Sequence, residues 1–505
     1  MARLDGYVAD IEYIHHFCRE LGPAWLNFVL AMQGIEPVQL KSGFSSCDLG
    51  CGQGLSTNVF ASCHPEGQFH GIDFNAAHIQ GARGLASQAK LENVTFWEAS
   101  FDDLGSLDLP EFDFITLHGV YSWVNSDNRN KIVDFIRCKL KVGGVVYVSY
   151  NCLPGWSSNA PIRQLLVSCA DMTSDDLEEQ IDASIAFVGR LKSLDVSYFS
   201  NNPSANDFFD ALCKLPKEYL AHEYFNEHWI QFYHTDVAKD FAQANMAFVG
   251  SASFADNLDF LRFSLAEQQL LNDIQDPVLR ETAKDFTVNQ QFRRDVFTKG
   301  RKRMFPNAHR ELVSRCRFEL AIPIGKDKLM LHLTPRGANF ASELYKLILH
   351  VLNEHQRSLD ELLQNQHIAR FGSDNVLQAV MVLLSSGYIL PAVDPSPEAI
   401  ASARLFNYAM LERTALDNKP LYLASPVVQT GIELDWVERL LLLCELTDSG
   451  DPSIFVSSIL RECNYALVKD DAVIQSWEEN LEELERQIRS FNECLLPLLK
   501  RLGVV

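Results

Sequence analysis

Between residues 44 and 151 short apolar runs alternate with longer stretches of mixed polarity. The runs FSSCDLG, QFHGIDF, NVTFWEAS, FDFITLHGV and GGVVYVSYN read as buried strands. Segments from near Leu55, at 75–91 and at 126–140 read as the helices between them. Alternation of that kind predicts an α/β fold, a parallel Rossmann-like sheet with helices on both faces. Ligands of such sheets bind outside the carboxyl ends of the strands, so the informative residues are those where strands stop. Ahead of this region, residues 7–37 carry Tyr13, Phe17, Leu21, Trp25, Phe28 and Leu30 as an approximate helical stripe.

The first strand stops in a glycine-dense turn, Gly50, Gly52 and Gly54, and the second stops at an acid, Asp73. Glycines let a strand-to-helix turn approach a ligand without a Cβ in the way. An acid at the tip of the next strand is placed for ribose hydroxyls. The turn reads D-x-G-x-G-x-G, which resembles the S-adenosylmethionine pocket of class I methyltransferases more than the dinucleotide G-x-G-x-x-G. On that resemblance Asp48, Gly50, Cys51, Gly52 and Gly54 surround the amino-acid end of the cofactor. The glycine amides face its carboxylate, and Asp48 favours its positive charges. Asp73 takes the ribose, Phe74 lies beside the adenine, and Ser100 with Phe101 stands where many class I enzymes place an acid for the adenine amine. His118, at the end of the fourth strand, joins the cofactor set.

A class I sheet needs two more strands after the fifth, and none follows at once. Residues 155–233 read as helical segments rich in aromatics and acids. A helix capped by Thr235 and stopping near Asn245 then leads to strands at 246–251 and 290–298. The chain is therefore read as an N-terminal helical cofactor lid (1–40), a methyltransferase core (41–154 and 234–300) and an inserted regulatory or substrate cap (155–233). Beyond it, KLMLHLTP reads as a strand, with helices near 338–353, 359–366 and 375–386 and an extended GYILPAV. That order suggests a winged-helix-like module (301–395). AVDPSPEAI, 392–400, reads as a linker to a helical C-terminal domain (396–505). There Ile474, Trp477, Leu481, Leu484, Ile488, Phe491 and Leu495 recur at 3-4 spacing until Pro497 interrupts. The stripe either packs on its own domain or forms a homodimer.

Composition narrows the partners. A formal charge of −22 over 505 residues argues against nucleic acid, whose binding rests on neutralised phosphates, and against anionic membranes. The twelve cysteines include no C-x-x-C pair, and Cys47, Cys51, Cys138 and Cys152 fall in the predicted sheet region, as small apolar residues. No leader pattern and no apolar run of about eighteen residues is present, so a reducing, cytoplasmic location without a membrane span is expected. Between Arg293 and Arg317 nine Lys or Arg stand against two acids, which is either a solvated face or a dock for an acidic segment.

The acceptor side is read from the ends of the fourth and fifth strands. LHGVYSWV supplies Tyr121 and Trp123 and lacks the N/D-P-P-Y/F signature of nucleic-acid amino methylation. SYNCLPGWS supplies Asn151 and Trp156 opposite. Aromatic faces favour ammonium and sulfonium groups by about 0.5–2 kcal/mol each. A tyrosine oxygen, the Asn151 amide oxygen or a carboxylate would take the amine proton; alternatively these aromatics are core residues. In the cap, YLAHEYFNEHWIQFYHTD carries His222, Glu223, Tyr224, His228 and Trp229, read as closing over the acceptor or as cap packing. It is not a metal site: His222 and His228 are six apart, not on one helix face as in H-E-x-x-H.

Several segments together resemble one family. DIEYIHHFCRELGPAWL, DLGCGQG, HGVYSWV, SYNCLPGWSSNAPIR, YLAHEYFNEHW and QFRRD are similar to bacterial class I methyltransferases with a methyltransferase regulatory domain, among them rickettsial-type protein lysine methyltransferases of outer-membrane proteins. The resemblance covers roughly residues 7–300 well. It implies S-adenosylmethionine as cofactor, a lysine ε-amine as acceptor and a middle domain that helps bind protein substrate. Asp48, Gly50, Gly52, Gly54 and Asp73 carry over to the cofactor, and Tyr121, Trp123, Asn151 and the His222–Trp229 run to the acceptor. The expected function is protein-lysine methylation; the alternatives are a small-molecule N- or O-methyltransferase and a non-enzymatic cofactor-binding scaffold.

Overall fold

Seven strands form one sheet: β1 Ser45–Leu49, β2 Gln68–Asp73, β3 Val94–Glu98, β4 Phe112–Leu117, β5 Leu140–Asn151, β6 Met246–Ser251 and β7 Phe292–Lys299. They lie in the order β3-β2-β1-β4-β5-β7-β6, with the first five parallel and β7 antiparallel to both its neighbours. The order reverses between β1 and β4, which opens a crevice above their carboxyl ends. The computed structural model describes residues 17–40, 43–170, 172, 176–300, 302–324, 343–413, 415–418, 421–469 and 472–505, together with a short backbone pairing of 3–4 with 7–8.

Val145, Val146, Tyr147 and Val148 of β5 are all fully buried, which requires cover on both faces of the sheet. One face packs Ile115, Leu117 and Phe297 against Ile132 and Ile136 of α4 (Ser126–Lys139). The other packs Phe69, Phe114 and Val296 against α1 (Pro23–Met32) and α2 (Leu55–Cys63). Helix α3 (Ala76–Gln88) starts on an Asn75 cap, whose side chain accepts from the Ala77 and His78 amides. Cys138 lies exposed on α4, in the helix predicted at 126–140, and is not the small apolar residue expected; Cys47 and Cys152 are buried.

The N-terminal helix is shorter than its apolar stripe suggests. A single turn, Arg19–Leu21, is separated from α1 by an extended Gly22. Pro23 occupies the first helical position, where its missing N–H costs nothing, but it keeps the preceding residue out of the helical region. Tyr13 lies outside the described residues.

Residues 155–233 supply five helices: α5 Ala160–Ala170, α6 Leu177–Ser193, α7 Ser197–Asn201, α8 Pro203–Leu212 and α9 Lys217–Tyr224. They share an apolar cluster of their own around Ile162, Leu166, Ile181, Val188, Phe209 and Leu220. The chain then returns to the sheet through α10 (His234–Ala242). That helix starts one residue before the expected cap Thr235, because the Asp236 carboxylate takes the Tyr233 N–H at 3.1 Å.

Behind the sheet end, Arg293 of β7 is buried, unlike the solvated face its basic run allowed. Its guanidinium donates to Asp295, Asp285 and Glu281, and Asp295 also accepts from Tyr150 Oη at 2.6 Å. A buried cation stays charged only with partners of this kind.

In the C-terminal half, the strand expected at KLMLHLTP lies outside the described residues. The predicted helices are Glu343–Glu354, Leu359–Gln364 and Ser373–Ser385. The middle strand of the adjoining sheet, Arg317–Leu320, comes from ahead of them and pairs with Arg357–Ser358 and Ile389–Ala392. The expected linker is shorter than 392–400, since Pro397 already opens the helix Pro397–Arg413. Pro497 does not end the last helix. A wide π turn, Phe491–Leu495, shifts the register and leaves the proline near the start of Leu496–Arg501, where its lost N–H matters little. Leu484, Phe491 and Leu495 bury their side chains within the chain.

A hairpin of Leu421–Ser425 and Thr430–Leu434 covers α2. Phe17 stands between Phe60 of α2 and Tyr422 of the hairpin, with ring centroids 5.6 and 4.9 Å away. Every residue of α2 is buried as a result.

Candidate functional site

The turn after β1 is held by its own backbone. The Gly50 and Cys51 amides donate to Ile72 O at 2.8 and 3.1 Å, and the Gly54 amide donates to Cys51 O at 3.0 Å. The Gly52 amide donates to Asp73 Oδ2 at 2.9 Å. These amides are therefore engaged within the protein, contrary to the expectation that they face a cofactor carboxylate. Gly54 serves packing: a Cβ there would sit 2.6 Å from the Phe96 ring and 2.7 Å from Ala82.

Asp48 accepts from Thr116 Oγ1 at 2.9 Å and from Thr57 Oγ1 at 3.2 Å. Burial pushes its carboxyl up to about 6; the two hydroxyls pull against that rise, and neighbouring Asp73 adds to it. A buried carboxylate so placed gains most from a cation brought beside it. Asp73 also takes the Asn75 N–H at 2.9 Å, and His78 Nδ1 lies 3.4 Å away.

A cavity of about 480 Å³ opens above these strand ends. Asp48, Gly50, Cys51, Gly52 and Asp73 line one side, continued by Phe74, Ser100, Phe101 and His118. Ser100 Oγ donates to Asp103 at 2.7 Å, so its lone pairs, not its hydrogen, face other partners. His118 Nδ1 lies 2.8 Å from Tyr147 Oη. Trp123 and Asn151 reach the opposite side from β4 and β5, and His222 and Glu223 come down from α9.

Three residues predicted from sequence stand elsewhere. Gly54 is under Phe96, as above. Tyr121 is fully buried in the core, where it donates to Asp240 at 2.8 Å between the rings of Phe232 and Phe241. Trp229 stacks edge-on against Trp156 at 5.0 Å, beneath Arg163, and does not line the cavity.

The cavity adds residues outside the predicted set. Tyr219 completes an aromatic wall with Trp156 and Tyr224, which the sequence already puts on the acceptor side and in the cap run, and Phe292 with Arg294 enters from β7. Arg294 lies within the basic run singled out in the sequence, but no motif spacing gives it a role.

The acceptor-side wall has a distinct chemistry. Burial alone pushes the Glu223 carboxyl up to about 7. Tyr219 is raised to about 12 by burial and by Glu223, and Tyr224 is raised by burial and its two neighbours. Asn151 Nδ2 and Trp156 Nε1 are buried without a hydrogen-bond partner. Buried polar groups are normally satisfied, so orphaned donors on a cavity wall mark places for a ligand.

Comparison with known proteins joins this geometry to a family. A methyltransferase domain profile matches residues 40–190, and a predicted methyltransferase regulatory domain matches residues 216–299. The Synechocystis protein sll1526, itself uncharacterized, is 36% identical over 502 residues, 99% of each chain. The chain belongs to the class I methyltransferases that carry a methyltransferase regulatory domain. Methyltransferases of this class use S-adenosylmethionine as methyl donor. The uncharacterized protein RP028 of Rickettsia prowazekii is 31% identical over 211 residues, 41% of this chain and 81% of its own. The structure of PKMT2 from Rickettsia typhi in complex with AdoHcy shares the fold, with a TM-score of 0.70 at 20% identity over 95% of this chain and 98% of that one. The cavity fits such a donor: Gly52 and Gly119 line it, and a Cβ at either would project into open space. Among the described residues, no helix is long and apolar enough to cross a membrane.

Proposed function

We propose that this methyltransferase modifies lysine ε-amines of a protein substrate. The observation that carries the reading is Glu223, a carboxyl raised to about 7 on an aromatic wall that shares one cavity with Asp48 and Asp73.

S-adenosylmethionine supplies an electrophilic methyl group on a sulfonium. On the donor side, Asp73 is placed to accept from ribose hydroxyls, Phe74, Ser100 and Phe101 to hold the adenine, and Asp48 to face the ammonium. On the acceptor side, Trp123, Trp156 and Tyr224 offer ring faces to a cationic amine. A free lysine is neutral in only about one molecule in a few thousand at pH 7. Moving its proton to a carboxyl near 7 is uphill by about 5 kcal/mol for an unperturbed ammonium. Loss of water around the enclosed amine disfavours the ammonium by more than the ring faces return, and so reduces that cost. Glu223 then holds the proton while the Asn151 amide aims the nitrogen lone pair, so positioning and exclusion of water carry the remaining catalysis. The sequence resemblance to rickettsial-type lysine methyltransferases supports the same acceptor.

The test is methyl-labelled S-adenosylmethionine incubated with the protein and fractionated lysate of the source organism. Label in precipitated protein, recovered as methyl-lysine after hydrolysis, is the expected result. Label only in the small-molecule fraction would move the protein to metabolite N- or O-methylation. Cofactor binding without any transfer would make it a scaffold.

A further inference from the structure

We propose that Arg294 binds the carboxylate at the amino-acid end of the methyl donor; this rests on the cavity being the donor site. The Gly50, Cys51, Gly52 and Gly54 amides of the turn are not offered to that carboxylate, because they already donate within the protein. The cavity is otherwise hostile to an anion, since Asp48, Asp73 and Glu223 all line it. Among the described lining residues Arg294 is the one Lys or Arg.

Its guanidinium is held ready. Nη1 donates to Ser253 Oγ at 3.0 Å, and Cζ lies 5.4 Å from the ring centroid of Phe292, which also lines the cavity. Nε is buried without a partner. An arginine anchored through one terminal nitrogen keeps the other edge for a carboxylate, the geometry in which bidentate pairs form.

The location also agrees with the amino-acid end. Arg294 pairs with Ser149 across β5 and β7, and Ser149 Oγ accepts the Gly119 amide at 2.9 Å, next to His118. The Arg294 charge acts on Tyr147 and Cys18, opposing the burial-driven rise of both groups. Cys18 in turn donates its amide to Ser56 Oγ at 3.0 Å, in the first turn of α2. The next residue of that turn, Thr57, holds Asp48. An α-ammonium at Asp48 and an α-carboxylate at Arg294 would thus be bound on two sides of one amino-acid group.

The test is calorimetric binding to the full chain of S-adenosylhomocysteine, which has the amino-acid end, and of 5′-methylthioadenosine, which lacks it. Arg294→Met is expected to weaken the first by about ten- to hundred-fold, the range of one charged hydrogen-bonded contact, and the second by less than about two-fold. Arg294→Lys should recover part of the loss. Equal weakening of both ligands, or no change in either, overturns the proposal. No change in either together with a raised KM for the acceptor would assign the carboxylate to the acceptor instead. Wild-type protein that binds neither ligand would sink the donor-site reading itself.

Discussion

Gly52 donates its backbone N–H to Asp73 Oδ2 at 2.9 Å, so the turn after the first strand and the tip of the second form one unit. Asp73 therefore shapes the cradle, and in the proposed donor site the ribose hydroxyls join its partners. Asp73→Ala should weaken S-adenosylhomocysteine binding by about ten- to hundred-fold, and Asp73→Asn by less, because one acceptor oxygen survives. Calorimetry on the two variants checks this; equal affinities for Ala and Asn would remove the ribose role.

Two glycines of the same turn should respond differently to one added methyl, one mainly in stability and the other mainly in donor binding. Gly54→Ala forces a Cβ to 2.6 Å from Phe96 at φ +66, and should lower unfolding free energy by about 2–4 kcal/mol. Gly52→Ala meets open space at φ +54, and should cost only about 1 kcal/mol of stability. Its methyl enters the cavity, so donor affinity should fall by about ten-fold or more. Denaturant unfolding beside binding isotherms separates the two.

On the proposed role, Glu223 gives the reaction a pH dependence. Only its ionised form accepts a proton, so kcat/KM should fall about ten-fold per pH unit below about 7. Glu223→Gln should lower the rate by about 10²–10⁴-fold and abolish that limb. Stability moves the other way. The folded-state carboxyl titrates above its ordinary value of 4.5, so the folded protein loses stability as pH rises from there through about 7. Glu223→Gln should accordingly gain on the wild type in thermal unfolding at pH 8 and show no gain near pH 4. A profile with its acid limb intact in the Gln variant would exclude Glu223 as proton acceptor.

Phe17 joins α2 to the C-terminal hairpin through Phe60 and Tyr422. Truncation to Ala should cost about 3–5 kcal/mol, as for other buried phenylalanines. A loss below about 1 kcal/mol in denaturant unfolding would mean that the hairpin rests on α2 without bracing it.

The sequence by itself determined the sheet and the turn and strand tips that line one side of the cavity. Alternating strands and helices, D-x-G-x-G-x-G and Asp73 are local patterns, because a strand end, its turn and the next strand tip lie within about thirty residues. Tertiary structure decided the rest. It drew Tyr121 into the core, since the burial of one aromatic depends on what a distant helix brings against it, here Asp240 and Phe241 of α10. It engaged the glycine amides, whose partners depend on strand register. It brought Glu223 and Arg294 to one cavity from chain segments seventy residues apart, a juxtaposition that follows from the antiparallel return of β7 and leaves no trace in local spacing. The cover over α2 is of the same kind: the C-terminal hairpin supplies Tyr422 to a pair of rings hundreds of residues earlier, and only packing, not periodicity, names the partner.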